Sequence, residues 1–115
     1  MPRLRAVVLA LLLAAPPARA ADCRECLDLA AKQDQDITSP SGVRVTVTGR
    51  NHCPEDLDGY RCRFKVRVLG AGNTVIATQS GSFGGTIAVH ATVETKVFVI
   101  CDPDRVRSIA VEAAE

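Results

Sequence analysis

The chain has 115 residues and a formal net charge of +1, and 47% of its residues are hydrophobic but only 3% are aromatic. Removing the three arginines of the N-terminal segment (Arg3, Arg5 and Arg19) from the 14 basic residues leaves 11 against 13 acidic residues, a net charge of −2. A balance of this kind argues against a dedicated nucleic-acid binder, which carries a clearly basic surface.

Residues 1–20 have the pattern of a signal peptide. Arg3 and Arg5 form a basic start, residues 6–15 are an apolar run, and Ala18-Arg19-Ala20 matches the small-residue cleavage signal. The apolar run is about half of the roughly 20 residues that a transmembrane helix needs. We therefore predict cleavage after Ala20, no transmembrane segment, and a periplasmic or secreted protein of one domain.

Residues 21–41 follow as a polar N-terminal segment that contains a C-x-x-C motif, Cys23-Arg24-Glu25-Cys26. Its apolar positions make at most a weak helical stripe, so a short helix or arm ahead of the domain is expected. The turn signal Ser39-Pro40-Ser41-Gly42 marks the entry to a β-domain over residues 42–115.

The strongest pattern lies in residues 60–69, where Tyr60, Cys62, Phe64, Val66 and Val68 alternate with a row of cations: Arg61, Arg63, Lys65 and Arg67. Alternation with period two describes a strand with one dry face and one cationic face. Residues 43–48 form a similar β-branched strand. The glycines at 70 and 72 with Asn73 predict a tight hairpin to a return strand.

A short strand is predicted at residues 86–90 and a longer one at residues 92–101. The longer strand is apolar on both faces over residues 97–100, as in a central strand. A last strand at 106–111 places Ile109 and Val111 inward. Six to seven short strands with regular turns predict an antiparallel β-sandwich, with a small barrel as the alternative.

The order of these features resembles the bacterial FxLYD domain family, an immunoglobulin-like group of exported proteins. The resemblance rests on residues 45–51, then 64–69, the glycine hairpin, Phe83-Gly84-Gly85 and residues 95–99. In place of the family signature this chain has Val66-Arg67-Val68-Leu69-Gly70. The resemblance implies an immunoglobulin-like sandwich, and it implies no catalytic residues.

The five cysteines, Cys23, Cys26, Cys53, Cys62 and Cys101, predict a disulfide framework with one thiol left over. In an immunoglobulin-like path Cys53 and Cys62 are expected near Cys101, so we predict a bond from Cys101, to Cys53 ahead of Cys62. The C-x-x-C pair is expected in structural disulfides, either with each other or to the domain.

Two further groups of residues are candidate binding sites. Carboxylates of two loops, Glu55, Asp56 and Asp58 with Asp102 and Asp104, would suit calcium if the loops converge. The cationic row Arg61, Arg63, Lys65 and Arg67 would suit an anionic surface such as lipopolysaccharide, phospholipid headgroups or an acidic partner. Solvated side chains are the simpler interpretation of both groups.

These observations predict an exported, disulfide-stabilised binding or structural module that is not an enzyme and needs no cofactor, with a protein or envelope component as its partner. The alternative is a periplasmic thiol-redox or metal-handling protein that uses Cys23 and Cys26, with His52 and Cys53 as further ligands.

Overall fold

The computed structural model describes residues 22–36 and 38–114, so the predicted signal peptide lies outside the described residues. The described chain is almost entirely β. Its elements are α1 (Cys23–Cys26), β1 (Leu27–Gln33), β2 (Gly42–Asn51), β3 (Leu57–Asp58), β4 (Arg63–Leu69), β5 (Val75–Ser82), β6 (Thr86–Ile87), β7 (Thr92–Ile100) and β8 (Ser108–Ala114), with 3₁₀ turns at Ala71–Asn73 and Pro103–Arg105. In this part of the chain no helix has the length and apolar character needed to cross a membrane.

Two three-stranded antiparallel sheets form the fold. The first sheet has the order β1-β2-β7, and the second sheet has the order β5-β4-β8. The two-residue strands β3 and β6 pair separately. This arrangement confirms the predicted all-β antiparallel sandwich.

The core lies between the inner faces of β2 and β4. It is built from alternate residues of these strands together with one residue of β7: Val43, Val45, Val47, Phe64, Val66, Val68 and Val99. β-Branched side chains pack well on pleated surfaces, which is why a chain with few aromatics can fill this space with valine. The Phe64 ring contacts that of Phe83, with 5.2 Å between centroids. Gly81 pairs with Phe64, and a Cβ there would lie 2.8 Å from the Phe64 ring.

A second cluster closes one end of the sandwich, which we call the disulfide end. Cys26, Leu27, Leu57, Cys62 and Ile87 are all buried there. Fully buried Asn51 holds the surrounding loops, because its Nδ2 donates to the carbonyls of Glu55 and Ile87, at 2.8 and 3.1 Å, and its Oδ1 accepts from the backbone N–H of Cys53.

The N-terminal segment differs from the prediction. The short helix is present as Cys23–Cys26, but the next residues do not remain an arm. Leu27–Gln33 pairs along β2 as the first strand of the first sheet, with Leu29 and Ala31 packed against the core. Asp28 and Lys32, the charged residues that obscured the strand pattern in the sequence, lie on the outer side of this edge strand.

The prediction of a central strand at residues 97–100 is wrong. β7 is an edge of the first sheet, and its outer residues Phe98 and Ile100 are 43% and 77% exposed. Phe98 lies over Gly42, where a Cβ would come within 2.8 Å of its ring. The apolar run therefore reflects a half-exposed edge and not burial on both faces.

Two strands, β4 and β6, are also shorter than predicted. Tyr60 is 72% exposed, because residues 59–61 form a turn in which the Tyr60 N–H donates to Asp58 Oδ1, and β4 begins only at Arg63. His90 has a φ of 64° and lies in a turn after β6, which ends at Ile87. The inward positions of Ile109 and Val111 are confirmed.

Candidate functional site

The disulfides connect the C-x-x-C motif to the rest of the domain. Cys23 bonds to Cys62, and Cys26 bonds to Cys53. Asp22 caps α1 by accepting the Arg24 N–H at 2.9 Å, and the resulting single turn places its two cysteines on one side. Because each cysteine bonds to a different loop, the motif does not form the internal bond of a thioredoxin-type site, and the thiol-redox alternative loses its central feature.

The predicted bond from Cys101 is wrong. Cys53 lies two residues after Asn51, the last residue of β2, whereas Cys101 donates its backbone N–H to the carbonyl of Ser41, immediately before the first residue of β2. A strand of this length spans roughly 30 Å, far beyond the reach of a disulfide. Cys101 is the free cysteine of the described residues, and burial, with a smaller contribution from the Asp102 carboxylate, raises the pKa of its thiol.

The predicted calcium site is wrong for the same reason. Asp56 and Asp58 lie at the disulfide end, where they accept the backbone N–H groups of Val89 and Tyr60. Asp102 and Asp104 lie at the opposite end of the sandwich, where Asp102 precedes the turn Pro103–Arg105 and Asp104 lies within it. Glu55 is exposed beside Asp56. Residues 22–36 and 38–114 contain no group of three or more side chains placed to hold a metal ion.

The surroundings of His52 do not support the metal-handling alternative. Its Nδ1 lies 3.2 Å from Asp28 Oδ2, and the neighbouring Cys53 is bridged to Cys26, so it has no thiolate to offer a metal.

The cationic row forms one face of the molecule. Arg63, Lys65 and Arg67 lie side by side on the outer side of β4, the central strand of the second sheet. Their cross-strand neighbours are short: Thr78, Ser80 and Ser82 on β5, and Ala110 and Ala114 on β8, with Glu112 as the exception. We call these residues the cationic face. Arg61 lies beside it in the turn that precedes β4.

Glu112 is the one carboxylate among the residues of this face. The Arg67 Nη2 lies 2.7 Å from Glu112 Oε2. The hydrogen bond from Arg67 lowers the pKa of Glu112, and the charges of Arg67, Lys65 and Arg24 act in the same direction. Neither Arg63 nor Lys65 makes an ion pair with a described residue, so the positive charge of this part of the face is directed to solvent.

One end of the cationic face contains a shallow hollow of about 300 Å³. Tyr60, Arg63, Ser80, Gly81 and Ser82 line it. The Arg63 guanidinium and the hydroxyls of Ser80 and Ser82 supply hydrogen-bond donors at this position, and the exposed Tyr60 forms its outer rim.

The outer face of the first sheet is different, although it is also rich in charges. Thr46 Oγ1 donates to Asp34 Oδ1 at 2.6 Å, and this hydrogen bond, with a contribution from Lys96, lowers the pKa of Asp34. Lys96 Nζ donates to Thr46 Oγ1 at 2.8 Å and lies 4.0 Å from Glu94 Oε2. A cavity of about 1000 Å³ lies over these residues, and Lys32 and Arg44 line it as well.

Sequence reasoning found the cations but missed the hollow. Thr78, Ser80 and Ser82 alternate with period two, and that signal places three hydroxyls on one side of the return strand. Buried Asn51 had no comparable signal, because it stands in a polar loop sequence.

The fold and its bonds define the class of this protein as a small antiparallel sandwich with two disulfides. None of the family models, curated proteins and solved structures with which the chain was compared matches it.

Proposed function

We propose that this chain is an exported, non-catalytic binding module whose cationic face contacts an anionic component of the cell envelope. The signal-peptide pattern of residues 1–20 and the two disulfides support export, because disulfides persist in oxidising compartments. The resemblance to FxLYD domains supports the same assignment.

The observation that carries the proposal is the unbalanced charge of the cationic face. Arg63 stands between Ser82 and Ala114, Lys65 stands between Ser80 and Glu112, and this single carboxylate is engaged by Arg67. Arg63 is exposed and Lys65 and Arg67 are half-buried, so the stems of the two half-buried side chains lie along the sheet while their charged ends reach solvent. A local field of this kind attracts anions even though the net charge of the exported part of the chain is slightly negative.

A non-catalytic function is supported by the state of the reactive side chains. Four cysteines are bridged, the Cys101 thiol has a raised pKa, and His52 contacts Asp28 at the opposite side of the molecule from the cationic face. A thiol with a raised pKa is a poor nucleophile at neutral pH because little of it is ionised.

Binding to dextran sulfate tests this proposal. The variant R63S/K65S/R67S removes three charges from the cationic face, and K32S/R44S/R50S removes three from the outer face of the first sheet. We expect the oxidised protein to bind at low salt, the first variant to lose at least about tenfold in affinity, and the control to stay within about threefold. Circular dichroism melts verify that both variants are folded.

Two results would contradict the proposal. If the unmodified protein does not bind dextran sulfate at low salt, the proposed function is wrong. Equal losses in the two variants would show that net charge, and not the cationic face, governs the interaction.

A further inference from the structure

We infer that the cationic face lies against an anionic phospholipid bilayer, and that the hollow beside Tyr60 receives one lipid phosphate group. This inference rests on the proposed function and adds to it the identity of the ligand. The chemistry that identifies the ligand is a phosphate on a flat, negatively charged surface.

The hollow suits a phosphate because it offers donors and no carboxylate. Arg63 presents a planar guanidinium that binds phosphate oxygens in pairs, and it has no ion-pair partner among the described residues. Ser80 and Ser82 add two hydroxyl donors on the neighbouring strand, where Ser82 is paired with Arg63 and Ser80 with Lys65. Its volume of about 300 Å³ is sufficient for a phosphate and the first atoms of a headgroup.

The shape of the face indicates a surface and not a single extended chain. Alternate residues of β4 are about 7 Å apart, so Arg63, Lys65 and Arg67 form a straight row. Apart from Glu112, the side chains opposite this row on β5 and β8 are short, so the row stands above its neighbours. The three cations can therefore reach one plane together, as contact with a bilayer requires.

Tyr60 supports the same ligand. It is 72% exposed at the end of the row, next to the hollow. Tyrosine is enriched at the level of lipid headgroups, because its ring is apolar and its hydroxyl is polar.

Vesicle binding tests the inference with the oxidised protein purified after export. Each cation at an anionic membrane surface contributes about fivefold in affinity, so the cationic row should contribute about a hundredfold. We expect binding to vesicles rich in phosphatidylglycerol, none to pure phosphatidylcholine, and a loss of this size in R63S/K65S/R67S. K32S/R44S/R50S should bind like the unmodified protein.

The phosphate subsite needs a separate test, which leaves the charges unchanged. S80A/S82A removes the two hydroxyls of the hollow, and T78A/S108A removes two hydroxyls of the same face outside it. We expect the first variant to bind phosphatidylglycerol vesicles severalfold more weakly and the second to be unaffected. Both should bind equally to vesicles whose charge comes from a fatty-acid carboxylate.

The outcomes separate the two proposals. Binding to dextran sulfate without binding to phosphatidylglycerol vesicles would overturn the membrane inference and leave the proposed function in place. Equal behaviour of S80A/S82A and T78A/S108A would overturn the phosphate subsite. Failure to bind either probe would overturn the proposed function itself.

Discussion

The two outer faces of this sandwich carry similar numbers of cations but differ in where the acids stand. On the first sheet, Asp34 lies against Thr46 and Lys96, and Glu94 lies near the same lysine. On the second sheet, Glu112 engages Arg67 and leaves Arg63 and Lys65 without an ion pair among the described residues. The first sheet places three carboxylates on its outer side, those of Asp28, Asp34 and Glu94, whereas the second sheet places one, so the second face has the larger excess of positive charge.

The difference arises from strand pairing. In an antiparallel sheet, residues directly opposite one another share a face. The charge next to a cation therefore depends on which residue the neighbouring strand places opposite it. In the first sheet Asp28 of β1 is opposite Arg50, and Asp34, just after β1, contacts Lys96. In the second sheet β5 supplies only hydroxyls to β4, and β8 supplies one carboxylate, Glu112. A serine and threonine strand next to a cationic strand therefore preserves the positive charge of the second sheet.

The sharpest test of the comparison is charge reversal. R63E/K65E changes four units of charge on the cationic face, and at about 1 kcal/mol for each unit at a membrane surface the affinity for anionic vesicles should fall about a thousandfold. K32E/R44E makes the same change on the first sheet and should cost less than about tenfold. Co-sedimentation at low salt measures both, and similar losses in the two variants would remove the distinction between the faces.

The second test asks whether the disulfide that precedes β4 supports the second sheet. With the Cys26–Cys53 bond intact, the Cys23–Cys62 bond closes only the ring of residues 23–26 and 53–62, so removing it should destabilise the protein by about 3 kcal/mol on the chain-entropy estimate. C101S breaks no bond and should change stability by less than about 1 kcal/mol. Urea unfolding of C23S/C62S and C101S measures both values, and a stable double variant would show that packing alone orders β4.

A smaller effect is expected from Glu112. E112Q removes the carboxylate of the cationic face and releases Arg67, so affinity for anionic vesicles should rise severalfold. E94Q removes a carboxylate of the first sheet and should leave the affinity unchanged. An unchanged affinity in E112Q would mean that Arg67 does not reach the ligand.

The smallest effect concerns acid pH. The pKa values of Asp34 and Glu112 are both lowered, so each native carboxylate contributes stability at neutral pH that is lost as the pH falls below about 4 and through the folded-state pKa. D34N and E112Q should each make stability less dependent on pH in this range. Urea unfolding between neutral and acidic pH provides the measurement, and an unaltered pH dependence would contradict the assignment.

Local patterns in the sequence predicted the parts of this structure that depend on local physics. The alternation of residues 62–68 predicted a buried and a cationic face of β4, and both are present. The hairpin at residues 70–73 was predicted from its glycines and Asn73, and Gly72 and Asn73 have positive φ angles of 68° and 61°. These features need only the pleat of a strand and the sterics of a turn.

Long-range placement was not accessible in the same way. The pairing of Cys101 was wrong because nothing in the sequence shows that Cys53 and Cys101 lie beyond opposite ends of β2. Residues 97–100 were assigned to a central strand because an apolar run does not distinguish a covered face from a half-exposed edge. Leu27–Gln33 escaped detection because an edge strand with polar outer residues resembles an irregular segment.

The paired bonds of α1 have a consequence for the loop between Cys53 and Cys62. The bonds join both ends of this loop to the same helical turn, so the loop and the turn together form a small covalent ring. A protease that cuts once within the loop opens the ring without separating any fragment from the chain. The part of the molecule that presents Tyr60 therefore stays attached to the domain after a single cleavage in this loop.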